Sequence, residues 1–305
     1  MILKRLFERP GRTDVFELGE RRLAQLQEEG RYSCYRSTRA TLRKLSLFLN
    51  GRRMPADKVT PTLVADFQDY LLHKVGNSRS TASENIKVLS LLLDAAGVRK
   101  NPCASVAKGR EERTRSYLTE EELERMMALR LKPGSEMAVA RDLFFMECRT
   151  GLRISDLLQL RWEAYDGASL HLRMQKTRRS VTVPVTNGVR TVLERYRDLF
   201  SSAGGYIFPT LRCVTPCADT FSHAKSLISA TGRVNRQIKG LARRAGVEKR
   251  ISTHTGRHTF ATMLISHGAS IYEVKELLGH SDVKVTQVYA HLADSRKRAL
   301  VAMLE

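Results

Sequence analysis

Apolar residues recur at spacings of three and four along the first third of the chain. Val15, Leu18, Leu23 and Leu26 do so within 14–29, and Leu42, Leu45 and Leu49 within 37–49. Leu63, Phe67, Tyr70 and Leu71 repeat the pattern within 63–74, and Ile86, Leu89, Leu92 and Leu93 within 83–96. That period gathers apolar side chains on one stripe of an α-helix, so four helices are predicted. Arg39, Arg43 and Lys44 lie off the stripe of the second. Pro61 suits a helix start and Gly97 a helix stop. The expectation is a small four-helix domain, apolar inside and basic outside.

The pattern breaks over 105–117. Lys108-Gly109-Arg110-Glu111-Glu112-Arg113-Thr114-Arg115 is charged and has no apolar period. It reads as a linker, either a solvated strap or one that runs along a phosphate backbone. A second domain begins at Tyr117-Leu118-Thr119. Thr119 and Glu122 have the spacing of a capping box, in which each side chain satisfies a free backbone amide of a helix start. Helices are expected at about 119–130 and 136–149. Residues 169–174 and 180–185 alternate apolar with polar and read as two strands, joined by a turn that carries Gln175-Lys176-Thr177. From Thr186 onward the chain reads as mostly helical. The expected division is 1–108, a linker at 109–116, and 117–305. No internal repeat or low-complexity tract is visible.

Charge adds a partner to this picture. The 305 residues carry a formal net charge of +20, and 42% of them are hydrophobic. Residues 1–108 hold 20 Lys and Arg against 11 Asp and Glu, and 109–305 hold 32 against 21. No single basic tail absorbs the excess, which points to a polyanion such as nucleic acid. Five scattered cysteines, 34, 103, 148, 213 and 217, suit a reducing compartment better than a disulfide framework. Cys213, Cys217 and His223 offer three metal ligands with no second close pair, too few for a structural zinc site. No apolar run approaches the ~18 residues of a membrane span. The apolar stretch after Met1 is too short for a signal peptide.

The candidate chemistry lies mainly in the last third. His254 and Arg257 stand in His254-Thr255-Gly256-Arg257-His258, His280 closes Leu277-Leu278-Gly279-His280, and Tyr289 stands in Val288-Tyr289-Ala290-His291. Upstream, Arg153 follows Thr150-Gly151-Leu152 and Asp156 comes three residues later. A guanidinium presents a planar fork of donors matched to phosphate oxygens. Two arginines, two histidines and a tyrosine suffice to hold a phosphodiester, neutralise its charge and attack it with a phenol, without metal or nucleotide. Each residue alone has a plainer reading: a surface arginine at a helix start, a surface lysine, a turn histidine after Gly279, a half-buried core tyrosine. His254 and His258 have an i,i+4 metal spacing, but residue 255 is Thr, so the metalloprotease motif is absent. His258 and His267 read as structural.

Taken together, these motifs resemble those of the tyrosine recombinases of the phage-integrase family. The length and two-domain plan are similar to its Xer-like members. The strong resemblance covers about residues 117–291, and the N-terminal helices resemble the family's core-binding domain more loosely. The resemblance implies a mainly α fold: an N-terminal four-helix, SAM-like core-binding domain and a mixed α+β, mainly helical catalytic domain of the DNA breaking-rejoining type, closing as a C-shaped clamp. It implies Arg153 and Arg257 as phosphate clamps, His254 as a phosphate hydrogen-bonder or proton carrier, and His280 as a third donor. It further implies Lys176 as the general acid toward the leaving 5′ oxygen, Asp156 as a brace, and Tyr289 as the nucleophile. Gly256 departs from the pattern, since the family usually carries an apolar residue before this arginine. A glycine there costs helix propensity of about 1 kcal/mol and suits a helix start.

The activity so implied is site-specific strand exchange through a 3′-phosphotyrosyl intermediate, with no cofactor and no metal. The implied partner is double-stranded DNA carrying a short recombination site, bound by a homotetramer across two sites in the cytoplasm, with no membrane partner. A relaxing type IB topoisomerase-like enzyme shares this chemistry. A DNA-binding protein with a decayed site is the alternative of another class. Residues 294–305 are expected to form a short helix, with Leu300, Met303 and Leu304 at apolar spacings, that packs on its own catalytic domain or, as the resemblance implies, docks on a neighbouring protomer. The core-binding helices begin near residue 13, which leans toward a recombinase without an arm-binding domain.

Overall fold

The structure, a computed structural model, describes residues 13–105, 116–200, 205–211 and 219–280, together with 282, 283 and 286. Most of the charged linker, Cys213, Cys217, Tyr289 and the 294–305 tail lie outside the described residues. The described residues fall into two compact units, one within 1–113 and 217–225, the other within 114–216 and 226–305. Both are mainly helical. Among the described residues there are two strands, paired with each other, and no helix long and apolar enough to cross a membrane.

The first unit contains α1 (Val15–Glu28), α2 (Tyr32–Phe48), α3 (Pro61–Asp69) and α4 (Arg79–Ala95). Their stripes meet in one core that includes Val15, Leu18, Leu45, Phe67, Leu71, Leu89 and Leu93. Full burial of side chains this size stabilises by about 1.5–3 kcal/mol each. α1 and α2 approach closely at Gly19, where a Cβ would lie 2.5 Å from a Leu42 methyl. Asp14 caps α1 by accepting the Phe16 N–H at 2.8 Å. Thr60 caps α3 through the Leu63 N–H, ahead of Pro61 at the first turn.

Three helices of the first unit differ from the sequence reading. α2 begins at Tyr32 rather than residue 37. Its polar first turns are held by Tyr32 and Tyr35, whose rings meet Phe221 edge-on with centroids 5.1 Å apart. α3 widens into a π-turn over Tyr70–Lys74, where the Val75 N–H reaches back to the Tyr70 carbonyl at 3.0 Å. α4 starts at Arg79, four residues before the expected start at 83, because Ser78 accepts the Thr81 N–H.

The second unit contains α5 (Glu120–Met127), α6 (Glu136–Thr150), α7 (Ile154–Leu158), β1 (Ser169–Arg173) and β2 (Ser180–Pro184). There follow α8 (Asn187–Phe200), α9 (Thr220–Arg244), α10 (Thr253–Ser266) and α11 (Ile271–Leu277). The first turns of α9, through Lys225, belong with the first unit. The expected capping box is present: the Glu122 N–H reaches Thr119 Oγ1 at 3.2 Å, and the Thr119 N–H reaches Glu122 Oε2 at 2.8 Å. The antiparallel strands pair Leu170 with Val183 and Leu172 with Val181, facing the core, while His171 opposite Thr182 faces out. α6 is buried on nearly all sides, with Val139, Ala140, Leu143, Phe144, Met146 and Cys148 in the core. α10 packs along it and is itself buried on several sides.

One buried charge fastens α6 to α8. Asp142, 1% exposed, accepts from Arg141 Nε at 3.1 Å, Arg195 Nη1 at 2.8 Å and the Tyr196 hydroxyl at 3.3 Å. Burial, then the Asp142 charge, push the Tyr196 phenol above its ordinary range, so the ring stays neutral and donates. Asp142→Ala would take this acceptor from the buried Tyr196 phenol, from Arg195 Nη1 and from Arg141 Nε, while Arg141 Nη1 keeps the Met127 and Leu129 carbonyls. The expected loss is about 3 kcal/mol of unfolding free energy, read by urea denaturation. A loss under about 1 kcal/mol would show that these groups find other partners.

Candidate active site

The site is assembled where three chain turns end. The first is the C-terminus of α6. Gly151 sits there at φ +65°, and a Cβ would fall 2.4 Å from the Phe260 ring and 2.9 Å from Leu278. Only glycine meets both the left-handed backbone and the close approach. The chain then reverses through Leu152 into Arg153, which occupies the N-cap position of α7 with an extended backbone. The Arg153 carbonyl accepts the Asp156 N–H at 2.8 Å and the Leu157 N–H at 3.0 Å. Its side chain is half-buried, with Nη1 3.2 Å from the thioether sulfur of Met174. Burial lowers the guanidinium pKa and the Asp156 charge opposes this; the group stays cationic.

The second is the β1–β2 loop. Met174 and Arg179 face each other across it, the Met174 N–H donating to the Arg179 carbonyl at 2.9 Å. Arg178 turns the chain at φ +58°. Asp156, 5% exposed, reaches from α7 to accept the Gln175 N–H at 3.0 Å through Oδ1. Its Oδ2 is buried with no hydrogen-bond partner among the described residues. Burial pushes this carboxyl above the ordinary range, against the Gln175 N–H and the charges of Arg153 and Arg257. Asp156 thus fixes the strand end next to Lys176 relative to Arg153. Lys176 itself is exposed in the loop.

The third is the end of α11. The Gly279 N–H donates to the Glu276 carbonyl at 2.8 Å and the His280 N–H to the Lys275 carbonyl at 3.0 Å, the paired bonds of a Schellman motif. Gly279 takes the left-handed position at φ +58°, where a Cβ would meet the Met174 sulfur at 2.6 Å. His280 is 7% exposed. Its Nδ1 lies 2.9 Å from Thr286 Oγ1, and its carbonyl accepts from Arg179 Nη1 at 3.0 Å.

Arg257 ties the first and third turns together. It is 7% exposed, and its guanidinium donates to the Gly151 carbonyl through Nη1 and to the Leu278 carbonyl through Nη2. Both acceptors lie at helix C-termini, where the helix dipole favours a cation. Arg257 reaches this place because Gly256 lets α10 lie close on α6: a Cβ there would fall 2.8 Å from the Glu147 Cβ and 3.2 Å from the Phe144 ring. The departure at Gly256 is therefore a packing requirement in the first turn of α10. His254, one turn earlier, is exposed. The start of α10 is pinned by the Thr253 N–H on Asn235 Oδ1 at 2.9 Å and the Ser252 N–H on Thr255 Oγ1 at 3.0 Å.

Arg153, Asp156, Arg257 and His280 are thus brought onto one frame, and Lys176 follows directly on a residue that Asp156 holds. Tyr289 lies outside the described residues. Several participants had no sequence reading. Met174 touches Arg153 and the Gly279 turn, and Arg179 holds the His280 carbonyl. Glu147, 1% exposed on α6, has its carboxyl pushed well up by burial, opposed by Arg257 and the Ile154 N–H. An acid after the apolar run Leu143-Phe144-Phe145-Met146 was the available signal for Glu147. Nothing in the sequence marks Met174 or Arg179. Among the described residues, no cluster of His, Cys, Asp and Glu is placed to hold a metal.

Two family profiles match the chain. The Phage integrase family matches residues 116–296, and the Phage integrase SAM-like domain matches residues 14–101. The chain is 30% identical to the tyrosine recombinase XerD of Shewanella oneidensis over 77% of this chain and 79% of that protein. It is 29% identical to XerD of Oceanobacillus iheyensis over 79% and 80%. Its fold is similar to that of a lambda integrase tetramer bound to a Holliday junction (TM-score 0.68, 18% identity, 91% of this chain and 77% of that one). It is also similar to that of the Tn1549 transposon integrase in complex with transposon right end DNA (TM-score 0.64, 18% identity, 95% and 100%).

Proposed function

The chain belongs to the phage integrase family, and on that premise we propose that it exchanges DNA strands at a specific site through a 3′-phosphotyrosyl intermediate. The observation that carries the site assignment is the Arg257 guanidinium, which joins the Arg153 turn to the His280 turn. Arg153, Arg257, His280 and His254 oppose the negative charge that grows on the phosphate during attack. Preorganised donors of this kind are worth about 3–4 kcal/mol each. The Tyr289 oxygen forms the bond to phosphorus, with His254 helping to carry its proton, and the bond from phosphorus to the 5′ oxygen breaks. Lys176 gives that oxygen its proton. A 5′ hydroxyl from a second duplex then reverses the step, so the phosphotyrosine conserves the bond without ATP. Asp156 holds the Lys176 loop against Arg153.

In this reading residues 1–108 form the core-type DNA-binding domain, 109–116 the linker, and 117–305 the catalytic domain. The partner is double-stranded DNA, supported by the net charge of +20 and by the DNA in the lambda and Tn1549 integrase structures. A homotetramer on two sites, working in the cytoplasm, is the assembly proposed, by analogy with the lambda integrase tetramer.

The test begins with a binding site selected from random duplexes, placed twice on a plasmid. Recombinant products should appear. Relaxed plasmid with no recombinant junction would favour a topoisomerase-like activity, and binding with no covalent adduct would favour a decayed site. Because each charge-neutralising role falls to a side chain, EDTA should leave the adduct yield unchanged. Loss of adduct in EDTA, restored by a divalent ion, would contradict the mechanism.

A further inference from the structure

Thr286 has no part in the chemistry assigned so far, yet it is 0% exposed and its hydroxyl lies 2.9 Å from His280 Nδ1. It sits in a turn closed by its own N–H on the Val283 carbonyl at 2.8 Å. In sequence it follows His280 by six residues and precedes Tyr289 by three.

The two imidazole nitrogens have opposite roles in the neutral ring, and the partner at one decides what the other does. A carbonyl or carboxylate at Nδ1 would draw the proton there and leave Nε2 as an acceptor, the wrong polarity for a phosphate oxygen. A threonine hydroxyl donates as readily as it accepts. It satisfies Nδ1 as an acceptor while Nε2 keeps its proton, and it accepts from Nδ1 if the ring is charged. The Schellman turn and the Arg179 bond fix the His280 backbone, and the Thr286 hydroxyl acts on the ring.

We propose that Thr286 is the positioning residue for His280: its hydroxyl holds Nδ1 so that Nε2 is the donor. This rests on the reading of His280 as a phosphate donor.

The test uses the full-length protein with nitrogen-15 in its histidines, His280→Gln identifying the His280 signals. At slightly alkaline pH the wild-type ring should carry its proton on Nε2, with Nδ1 bare. Thr286→Val, nearly the same shape, should shift the His280 tautomer balance and slow covalent adduct formation by about tenfold with unchanged DNA affinity. Thr286→Ser should restore both to within about twofold. A proton on Nδ1 in the wild type would overturn the proposal. So would a Val variant with wild-type spectrum and rate, or a Ser variant as slow as Val. If the Val variant melts early, the wild-type spectrum and the Ser variant decide. A wild-type protein that forms no adduct would count against the recombinase reading instead, since the imidazole spectrum needs no DNA.

Discussion

Tyr289→Phe is expected to abolish covalent capture of DNA, by a thousandfold or more on the order of other nucleophile deletions, with site binding nearly intact. A phenol has an ordinary pKa near ~10 and is a weak nucleophile at neutral pH. Its oxygen becomes reactive only where the surrounding donors stabilise the charge it transfers to the phosphate. The substitution removes that oxygen and nothing else, so groups that bind DNA keep their contacts. Gel-shift affinity and protease-sensitive adduct yield, measured side by side, check it. A phenylalanine protein that still forms the adduct moves the nucleophile to another residue.

Arg257→Ala should be the second most damaging change, because the chemical role proposed for this side chain adds to an architectural one. Loss of one preorganised cationic donor costs about 10²–10³ in the rate of strand cleavage. The alanine also strands two buried carbonyls, Gly151 and Leu278, which the guanidinium now joins. Unsatisfied groups of that kind cost about 1–3 kcal/mol each, so the melting temperature should fall as well. Arg257→Lys separates the two roles. An ammonium keeps the charge but lacks the planar fork that spans two acceptors. It should recover part of the stability while remaining strongly impaired in cleavage. A lysine variant with wild-type cleavage would show that charge alone suffices and that the fork is dispensable.

The helices of the first unit were legible because each buries one stripe, as Leu89, Leu92 and Leu93 do on α4. The capping box at Thr119 and the two strands were legible because their signals are local. α10 was harder to read. Its buried set runs from Thr253 through Gly256, Arg257 and Phe260 to Ile265, packed on more than one side, so no clean stripe survives in the sequence. The early start of α2 depends on Phe221, far along the chain, and no local pattern contains it. The site has the same division. The order and short contexts of Arg153, His254, Arg257, His280 and Tyr289 are visible in the sequence. The bonds that join them are not, since Arg257 reaches carbonyls 106 and 21 residues away. Gly256 looked like a propensity cost and is a contact requirement against Glu147 and Phe144.

The most direct test of the central claim is to map the covalent bond. Full-length protein is trapped on a duplex nicked within its selected site, the DNA is trimmed with nuclease, and the tryptic peptides are read by mass spectrometry. The predicted result is a phosphonucleotide on the peptide containing Tyr289, drawn from the 3′ phosphate side of the cut, with a free 5′ hydroxyl on the released strand. An adduct on any other residue, or a cut that leaves a 3′ hydroxyl and a 5′ phosphate, would contradict it.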